Sequence, residues 1–204
     1  MFRKQLTKEQ AFQKIKHFAA YQERSHFEAK ERLYSLGLRK IDVEELLSKL
    51  IEENYLNEER FAMQFARGKF RMKQWGKVKI TYELKQRKVS EYCIKKALKE
   101  IDEAEYEKIL KKLAGQKWKS IKGPGVNHFT KMSKATSYLL QKGFEAPLVK
   151  AEVQRLQKGP EHLDAAATGD DGSEAQQPDG DEERKAGIQP AVEGRQLHAP
   201  GPPP

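Results

Sequence analysis

The chain has 204 residues, of which 37% are hydrophobic and 34% are charged, and its formal net charge is +9 at pH 7. No stretch approaches the ~20 apolar residues that a membrane-spanning helix needs, and the charged N-terminus lacks the apolar core of a signal peptide. The single cysteine, Cys93, excludes an internal disulfide. We therefore expect a cytoplasmic protein of one or two domains that does not enter a membrane.

Three stretches of the sequence share one apolar pattern. They are LYSLGLRKIDVEELLSKL from Leu33, LKQRKVSEYCIKKALKEI from Leu84 and LLQKGFEAPLVKAEVQRL from Leu139, spaced 51 and 55 residues apart. The last three matched apolar residues of each stretch fall at i, i+4 and i+7, which is one face of a helix. The matched sets are Leu33, Leu38, Val43, Leu47 and Leu50; Leu84, Val89, Ile94, Leu98 and Ile101; and Leu139, Phe144, Val149, Val153 and Leu156. Because further helical stretches precede each one, the sequence predicts a repeat of three helices.

Capping signals mark several helix starts. Thr7 with Gln10 and Ser25 with Glu28 form capping-box patterns. Asn57, followed by two glutamates, marks a third start. These signals predict helices that begin directly after residues 7, 25 and 57.

The turns between helices also carry signals. Gly37 and Gly143 occupy matching positions that favour left-handed backbone. Lys88 stands at the matching position of the second repeat, where the same conformation would cost about 1 kcal/mol. Pro147 suits the first turn of the last helix. The Gly-Pro-Gly loop at 121–127 cannot continue a helix and explains the longer second period.

These elements predict an all-α protein of three tandem three-helix repeats that stack into an elongated, solenoid-like body. One unit of about 50 residues buries too little core to be stable alone. We place an N-terminal arm at residues 1–7 and the repeats at 8–54, 55–102 and 103–158. The alternative is three independently folded units joined by linkers, but almost no spacer separates one repeat from the next.

Residues 159–204 form an acidic tail with few large apolar side chains, a composition typical of disordered segments. From residue 160 onward the tail holds ten acids and three bases, a net −7, so residues 1–159 carry +16. Such a body favours nucleic acid or an acidic protein surface as partner, with ordinary solubility as the alternative. The tail could fold back as an acidic competitor, but a solvated extension is the interpretation we prefer.

The positive charge is densest in the second repeat, where Glu83 is the only acid among residues 67–88. On a helix that begins after Asn57, Arg60, Arg67 and Arg71 align as one stripe. The opposite arc is apolar and predicts a core face. Its members are Phe61, Met63, Phe65, Ala66, Phe70 and Met72.

Trp75 and Gly76 interrupt this charge and predict a corner between two helices, the second of which turns Ile80 and Leu84 inward. We interpret Trp75 as a packing anchor and the phenylalanines as core rather than as a base-stacking platform. The surrounding cations are candidate contacts for DNA phosphate or an acidic protein groove, since guanidinium binds either. They are Arg60, Arg67, Lys69, Arg71, Lys73, Lys77, Lys79, Lys85, Arg87 and Lys88.

The sequence offers no catalytic, metal or cofactor site. The histidines form no H-x-x-x-H pair, one cysteine cannot build a structural zinc site, and the glycines match neither a phosphate-binding loop nor a dinucleotide fingerprint. Acidic residues such as Glu44 and Glu45 fit exposed helix faces better than the Mg²⁺ ligands of a nuclease. We therefore expect a non-enzymatic protein without cofactors.

The segment from Tyr55 to Ser90, YLNEERFAMQFARGKFRMKQWGKVKITYELKQRKVS, resembles the signature stretch of the RecX family of bacterial regulatory proteins. In that family an acidic-Arg-Phe-Ala sequence, here 58–62, opens a helix that ends in basic residues and a glycine, here Gly76. An Ile-x-x-x-Leu helix follows, here Ile80 to Leu84. The resemblance spans residues 8–157, is looser in the third repeat and leaves out the tail.

The resemblance implies a regulator of DNA repair, homologous recombination and the SOS response. Such a protein binds the RecA filament on single-stranded DNA and inhibits RecA's ATPase, strand-exchange and co-protease activities. The resemblance also implies weak, sequence-independent contact with single- and double-stranded DNA, and we take a monomer as the default. The alternative is a stand-alone helical DNA-binding protein that contacts the phosphate backbone, because helix-turn-helix corners can dock a helix in a groove.

Overall fold

The computed structural model describes residues 6–158, and these form nine α-helices and no strand. The helices are α1 (Lys8–Tyr21), α2 (His26–Ser35), α3 (Lys40–Glu52), α4 (Glu58–Lys73), α5 (Lys77–Gln86), α6 (Glu91–Lys99), α7 (Glu103–Ser120), α8 (His128–Lys142) and α9 (Ala146–Gln157). The prediction of an all-α protein with tandem helical units is confirmed. Most of the predicted N-terminal arm and the whole acidic tail lie outside the described residues.

We name α1–α3 the first unit, α4–α6 the second and α7–α9 the third. That each unit is a repeat with the boundaries given above stays a prediction. None of the described helices is both long and apolar enough to cross a bilayer.

The helices begin where the capping signals predict. The side chains of Thr7 and Ser25 accept hydrogen bonds from the N–H groups three residues later, at 3.3 and 3.1 Å. Gln10 and Glu28 in turn accept from the N–H groups of these two cap residues. Asn57 caps α4 in the same way at 2.9 Å. Each cap satisfies N–H groups that have no partner inside the helix and contributes about 1 kcal/mol.

The turns adopt the predicted left-handed backbone. Gly37 and Gly143 both have φ of 88°, and Lys88 has φ of 57°. Gln74 is a further left-handed residue, with φ of 52°, which the sequence did not indicate. It ends α4 by donating its N–H back to the carbonyls of the last turn and so forms the corner that leads to α5.

The buried apolar side chains form two separate clusters. One is built by α1–α3 together with Leu56, and the other is a single cluster drawn from all of α4–α9. The matched apolar positions lie in these clusters, and Val43, Ile94 and Val149 are each no more than 3% exposed. The second and third units therefore share one core, whereas the first unit has its own.

The second and third units also meet through backbone contacts between the start of α5 and the end of α8. The N–H of Gly76 donates to the carbonyl of Lys142 at 2.8 Å, and the N–H of Val78 donates to the carbonyl of Gly143 at 3.0 Å. These bonds pair N–H groups that are free at a helix start with carbonyls that are free at a helix end. Opposite ends of two helix dipoles meet in the same place, which adds to the attraction.

Tyr106 of α7 completes this junction. Its hydroxyl accepts a hydrogen bond from the N–H of Lys77 at 2.9 Å and donates one to the Glu145 carboxylate at 2.6 Å. Its ring centroid lies 5.8 Å from that of Phe70 and 5.2 Å from that of Phe144. Burial first, and then the bond to Glu145, raise the pKa of Tyr106, so the folded protein keeps this hydroxyl protonated.

The first and second units are linked by polar contacts instead. Arg60 donates from Nε to the Glu23 carboxylate at 2.6 Å, and its terminal nitrogens donate to the side-chain and backbone oxygens of Asn54, both at 3.0 Å. Arg87 Nε lies 3.5 Å from the Glu28 carboxylate. Ion pairs rather than a shared core therefore hold the first unit against the second.

Fewer side chains on the apolar arc of α4 are buried than the sequence predicts. Phe61 and Phe70 are buried, and Met63 and Phe65 are half-buried against the second cluster. The placement of Met72 in the core is wrong, because its side chain is 82% exposed. It lies at the edge of an open groove along α4, where no described element covers it.

After α4, the predicted core residues, loop and helix start lie where the sequence places them. Ile80 and Leu84 are fully buried, and Trp75 packs half-buried against the second cluster. The Gly-Pro-Gly loop separates α7 from α8, and Pro147 lies in the first turn of α9. Cys93 packs as a buried apolar residue at 7% exposure.

Candidate basic interface on the second unit

The ten cations predicted from the sequence all lie on α4, on α5 or in the turn after α5, and their contacts place them in three groups, the first two of which share Arg87. The first group pairs with carboxylates. Arg67 lies 2.5 Å from Glu100, and Lys77 lies 2.5 Å from Glu103. The other pairs are Lys85 with Glu91, Arg60 with Glu23, and Arg87 with Glu83 and Glu28. A partner that binds these cations must compete with carboxylates of the protein itself.

The second group lies over aromatic rings and forms a ladder across α4 and α5. Lys69 Nζ lies 5.3 Å from the centroid of the Phe65 ring and 5.2 Å from that of Trp75. Lys79 Nζ lies 4.7 Å from the Trp75 ring, and the Arg87 guanidinium lies 4.8 Å from the Phe65 ring. Cations attracted to ring faces lose conformational freedom but keep their charge. The ladder therefore presents fixed positive charges to a partner.

The third group is exposed and has no ion pair with a carboxylate among the described residues. It comprises Arg71, Lys73 and Lys88. Arg71 shares a depression with Asp102 and Glu105, which lie beyond ion-pair distance from it. These three side chains can bind an anionic partner without breaking a contact inside the protein.

Further candidate residues on α6 were missed from the sequence. Tyr92 is 71% exposed, and Lys95 and Lys99 follow it on the surface at i+3 and i+7. The helical spacing of Tyr92, Lys95 and Lys99 is a signal in the sequence, but these residues lie beyond the densest run of basic residues, which ends at Lys88. Tyr82 of α5 is also exposed, so both helices of the α5–α6 corner carry exposed tyrosine and lysine side chains.

Two side chains of α6, Lys96 and Glu91, have pKa values shifted by their ion-pair partners. A hydrogen bond to Glu59 holds the pKa of Lys96 above its ordinary value. A hydrogen bond from Lys85, with the charge of Lys95 nearby, holds the pKa of Glu91 below its ordinary value. Lys96 and Glu91 therefore keep their charges through the physiological range.

The arrangement is suited to binding an anionic surface. Over residues 6–158, no three His, Cys, Asp or Glu side chains gather as metal ligands. The site is an array of cations, some held over aromatic rings and some without ion pairs among the described residues, which suits phosphate or carboxylate groups.

Comparison with known proteins gives consistent matches. Residues 57–98 match the family model described as "RecX, second three-helix domain". The chain is 32% identical over 140 residues to the regulatory protein RecX of Chlorobium limicola, covering 67% of this chain and 84% of that protein. It is 27% identical over 157 residues to the RecX of Clostridium perfringens strain 13, covering 75% of this chain and 73% of that protein.

A solved structure shares the fold. The crystal structure of RecX from Lactobacillus salivarius superposes with a TM-score of 0.65 at 20% identity, covering 74% of this chain and 97% of that one. Residues 57–98, which match the family model, cover nearly all of the second unit. On this evidence the chain belongs to the RecX family of regulatory proteins.

Proposed function

We propose that this protein binds RecA filaments on single-stranded DNA and inhibits the ATPase, strand-exchange and co-protease activities of RecA. Membership in the RecX family supports RecA as the partner. The observation that carries the proposal is the basic surface of the second unit, where cations without carboxylate partners lie beside cations fixed over aromatic rings.

The three groups of cations take different parts in this proposal. Arg71, Lys73 and Lys88 contact the filament directly, because no internal ion pair must break first. Lys69 and Lys79 add charge in fixed positions. The carboxylate-paired cations, among them Arg60, mainly stabilise the packing of the helices that present this surface. These cations can bind an acidic RecA surface and can also bind DNA phosphate weakly.

The protein acts as a binding protein rather than as an enzyme in this proposal. It works without a cofactor, in the cytoplasm, and as a monomer on the filament. These statements rest on the family and on the character of the site, which is built from cations rather than from a catalytic acid, base or nucleophile.

The direct experiment measures ATP hydrolysis by RecA on single-stranded DNA while the purified protein is added. We expect hydrolysis to fall as the protein approaches stoichiometric amounts, and co-sedimentation to place the protein on the filament. Unchanged hydrolysis in stoichiometric excess, with RecA demonstrably active, would overturn the proposal.

A second candidate function is direct DNA binding, which one observation favours. The α5–α6 corner presents Tyr92, Lys95 and Lys99 on its second helix, in the manner of helix-turn-helix proteins that dock a helix in a groove. High DNA affinity with a marked sequence preference and no effect on RecA would support this function. Weak binding that falls steeply with salt and ignores sequence is what the RecA proposal expects.

A further inference from the structure

An open groove runs along α4, on the side that faces the loop between α1 and α2. Its floor is a single helix face, on which Phe61, Phe65, Gly68 and Met72 recur at i, i+4, i+7 and i+11. Its opposite wall is formed by Gln22 and Glu23, and further lining comes from Gln64, Lys69 and Lys73. The basic interface shares Lys69, Lys73 and the Phe65 ring with this groove but does not use Phe61, Gly68 or Met72.

Gly68 shapes the groove. A Cβ at this position would meet nothing within 4 Å, so neither tight packing nor a close approach requires a glycine there. Glycine also weakens a helix interior relative to alanine. Its effect is to leave a notch on the helix face between Phe65 and Met72.

The charge around the groove is positive. Lys73 is exposed, and no carboxylate of the described residues pairs with it. Lys69 is held at the rim by two aromatic rings, and its charge is not paired either. Glu23 in the wall is paired with Arg60 at 2.6 Å and therefore repels an acidic occupant less than an unpaired carboxylate would.

The ring contacts favour a polypeptide over a nucleobase as occupant. The Phe65 ring already lies beside Lys69 and the Arg87 guanidinium, at 5.3 and 4.8 Å from its centroid. Stacking of a base on it would have to displace these cations. Met72, which is 82% exposed, offers a flexible apolar surface of the kind that accommodates aliphatic side chains.

We propose that this groove binds an acidic amphipathic helix of a protein partner, whose apolar residues fill the notch at Gly68 and whose carboxylates meet Lys69 and Lys73. Helix-in-groove recognition of this kind uses anchors at i, i+4 and i+7, which match the spacing of the floor. The inference goes beyond the proposed function, because the groove would take such a helix whether or not the protein acts on RecA.

The test uses a fluorescently labelled helical peptide with leucines at i, i+4, i+7 and i+11 and glutamates at the flanking positions. Binding to the full chain is followed by anisotropy. The Gly68→Leu variant fills the notch, and Met72→Ser removes the exposed apolar contact. Gly115→Leu is the matched control, because Gly115 also lies inside a helix with nothing within 4 Å of a Cβ.

We expect the wild type and Gly115→Leu to bind the peptide equally, and Gly68→Leu and Met72→Ser to lose at least about tenfold in affinity. A second peptide with lysine in place of glutamate should not bind. Circular dichroism checks that each variant is folded, and Met72→Ser, which changes an exposed side chain, keeps the test valid if Gly68→Leu does not fold.

Three results would overturn the inference. One is no peptide binding at millimolar concentration, and another is equal loss in Gly68→Leu and Gly115→Leu. The third combines two observations. The peptide does not bind the wild type, and the groove variants lose binding to a single-stranded oligonucleotide or lose self-association. That result would assign the groove to nucleic acid or to a second copy of this chain.

Discussion

Gly76 and Gly143 lie so close together that a Cβ on Gly76 would sit 2.2 Å from the carbonyl oxygen of Gly143. The two residues belong to different units of the chain, and backbone hydrogen bonds at 2.8 and 3.0 Å join the segments that carry them. The atoms that an added methyl group would meet are backbone atoms, which cannot rotate away as a side chain can. The junction between the second and third units therefore depends on glycine at position 76.

The Gly76→Ala substitution should destabilise the protein. The added Cβ must push α5 away from α8 and lengthen the hydrogen bonds between them, at a cost of about 1–3 kcal/mol or more. Urea denaturation gives the free energy of unfolding. The matched control is Gly68→Ala, where open space around the position predicts a gain of about 0.5–1 kcal/mol in helix stability. Equal effects of the two substitutions would contradict the tight junction.

Two phenylalanines of α4 should differ in their contribution to stability. Phe70 is 2% exposed and contacts the Tyr106 ring, so Phe70→Ala should cost about 3–5 kcal/mol. Phe65 is only half-buried, and Phe65→Ala should cost clearly less. Denaturant midpoints of the two variants check the order, and a larger loss for Phe65→Ala would contradict this difference in burial.

Tyr106 should make stability fall at alkaline pH. Its folded pKa is raised above the ordinary value of 10.0, mainly by burial and next by the bond to Glu145. The stabilisation is therefore complete below about pH 10 and is lost as the pH rises from there toward the folded pKa. In an absorbance titration, one of the seven tyrosines should stay protonated until the protein unfolds.

The Tyr106→Phe variant is the control for this titration. It should lack the late-titrating tyrosine and lose stability less steeply above about pH 10. At neutral pH it should be less stable by about 1–3 kcal/mol, because the Lys77 N–H and the Glu145 carboxylate lose a buried partner. Identical alkaline transitions in the two proteins would contradict the proposed cause.

Arg60 and Arg67 should behave differently although they share one stripe of α4. Arg60→Ala removes three hydrogen bonds that hold the first unit against the second, and it should cost about 1–3 kcal/mol. Arg67→Ala breaks an exposed pair with Glu100, which should cost about 1 kcal/mol or less. Thermal unfolding distinguishes them, and equal losses would mean that the Arg60 contacts do not link the units.

Local sequence signals predicted the helices well because their causes are local. The capping boxes at Thr7 and Ser25, the left-handed turns at Gly37, Lys88 and Gly143, and the apolar register of the repeats all depend on residues a few positions apart. Such signals decide where a helix begins, where it ends and which face it buries.

Contacts between distant residues could not be predicted in the same way. Arg60 was assigned to a surface stripe, but its partner Glu23 lies 37 positions away in the chain. Gly76 was interpreted as a helix end, whereas its closest neighbour is Gly143 in another unit. Met72 matches the apolar spacing of α4, yet the helix face on which it lies is left open. Each of these depends on how the units pack, which periodicity does not determine.

The most direct test of the proposed function compares variants in the RecA ATPase assay on single-stranded DNA. Arg71→Glu with Lys88→Glu reverses two exposed cations that form no ion pair within residues 6–158 and do not line the α4 groove. Lys108→Glu with Lys112→Glu makes the same charge change on α7 as the control, and thermal unfolding verifies that both proteins fold. We predict that the α4–α5 variant needs at least about tenfold more protein for half-inhibition, while the control inhibits like the wild type. Full inhibition by the Arg71→Glu, Lys88→Glu protein, or equal loss in the two variants, would contradict the assignment of this surface to the filament.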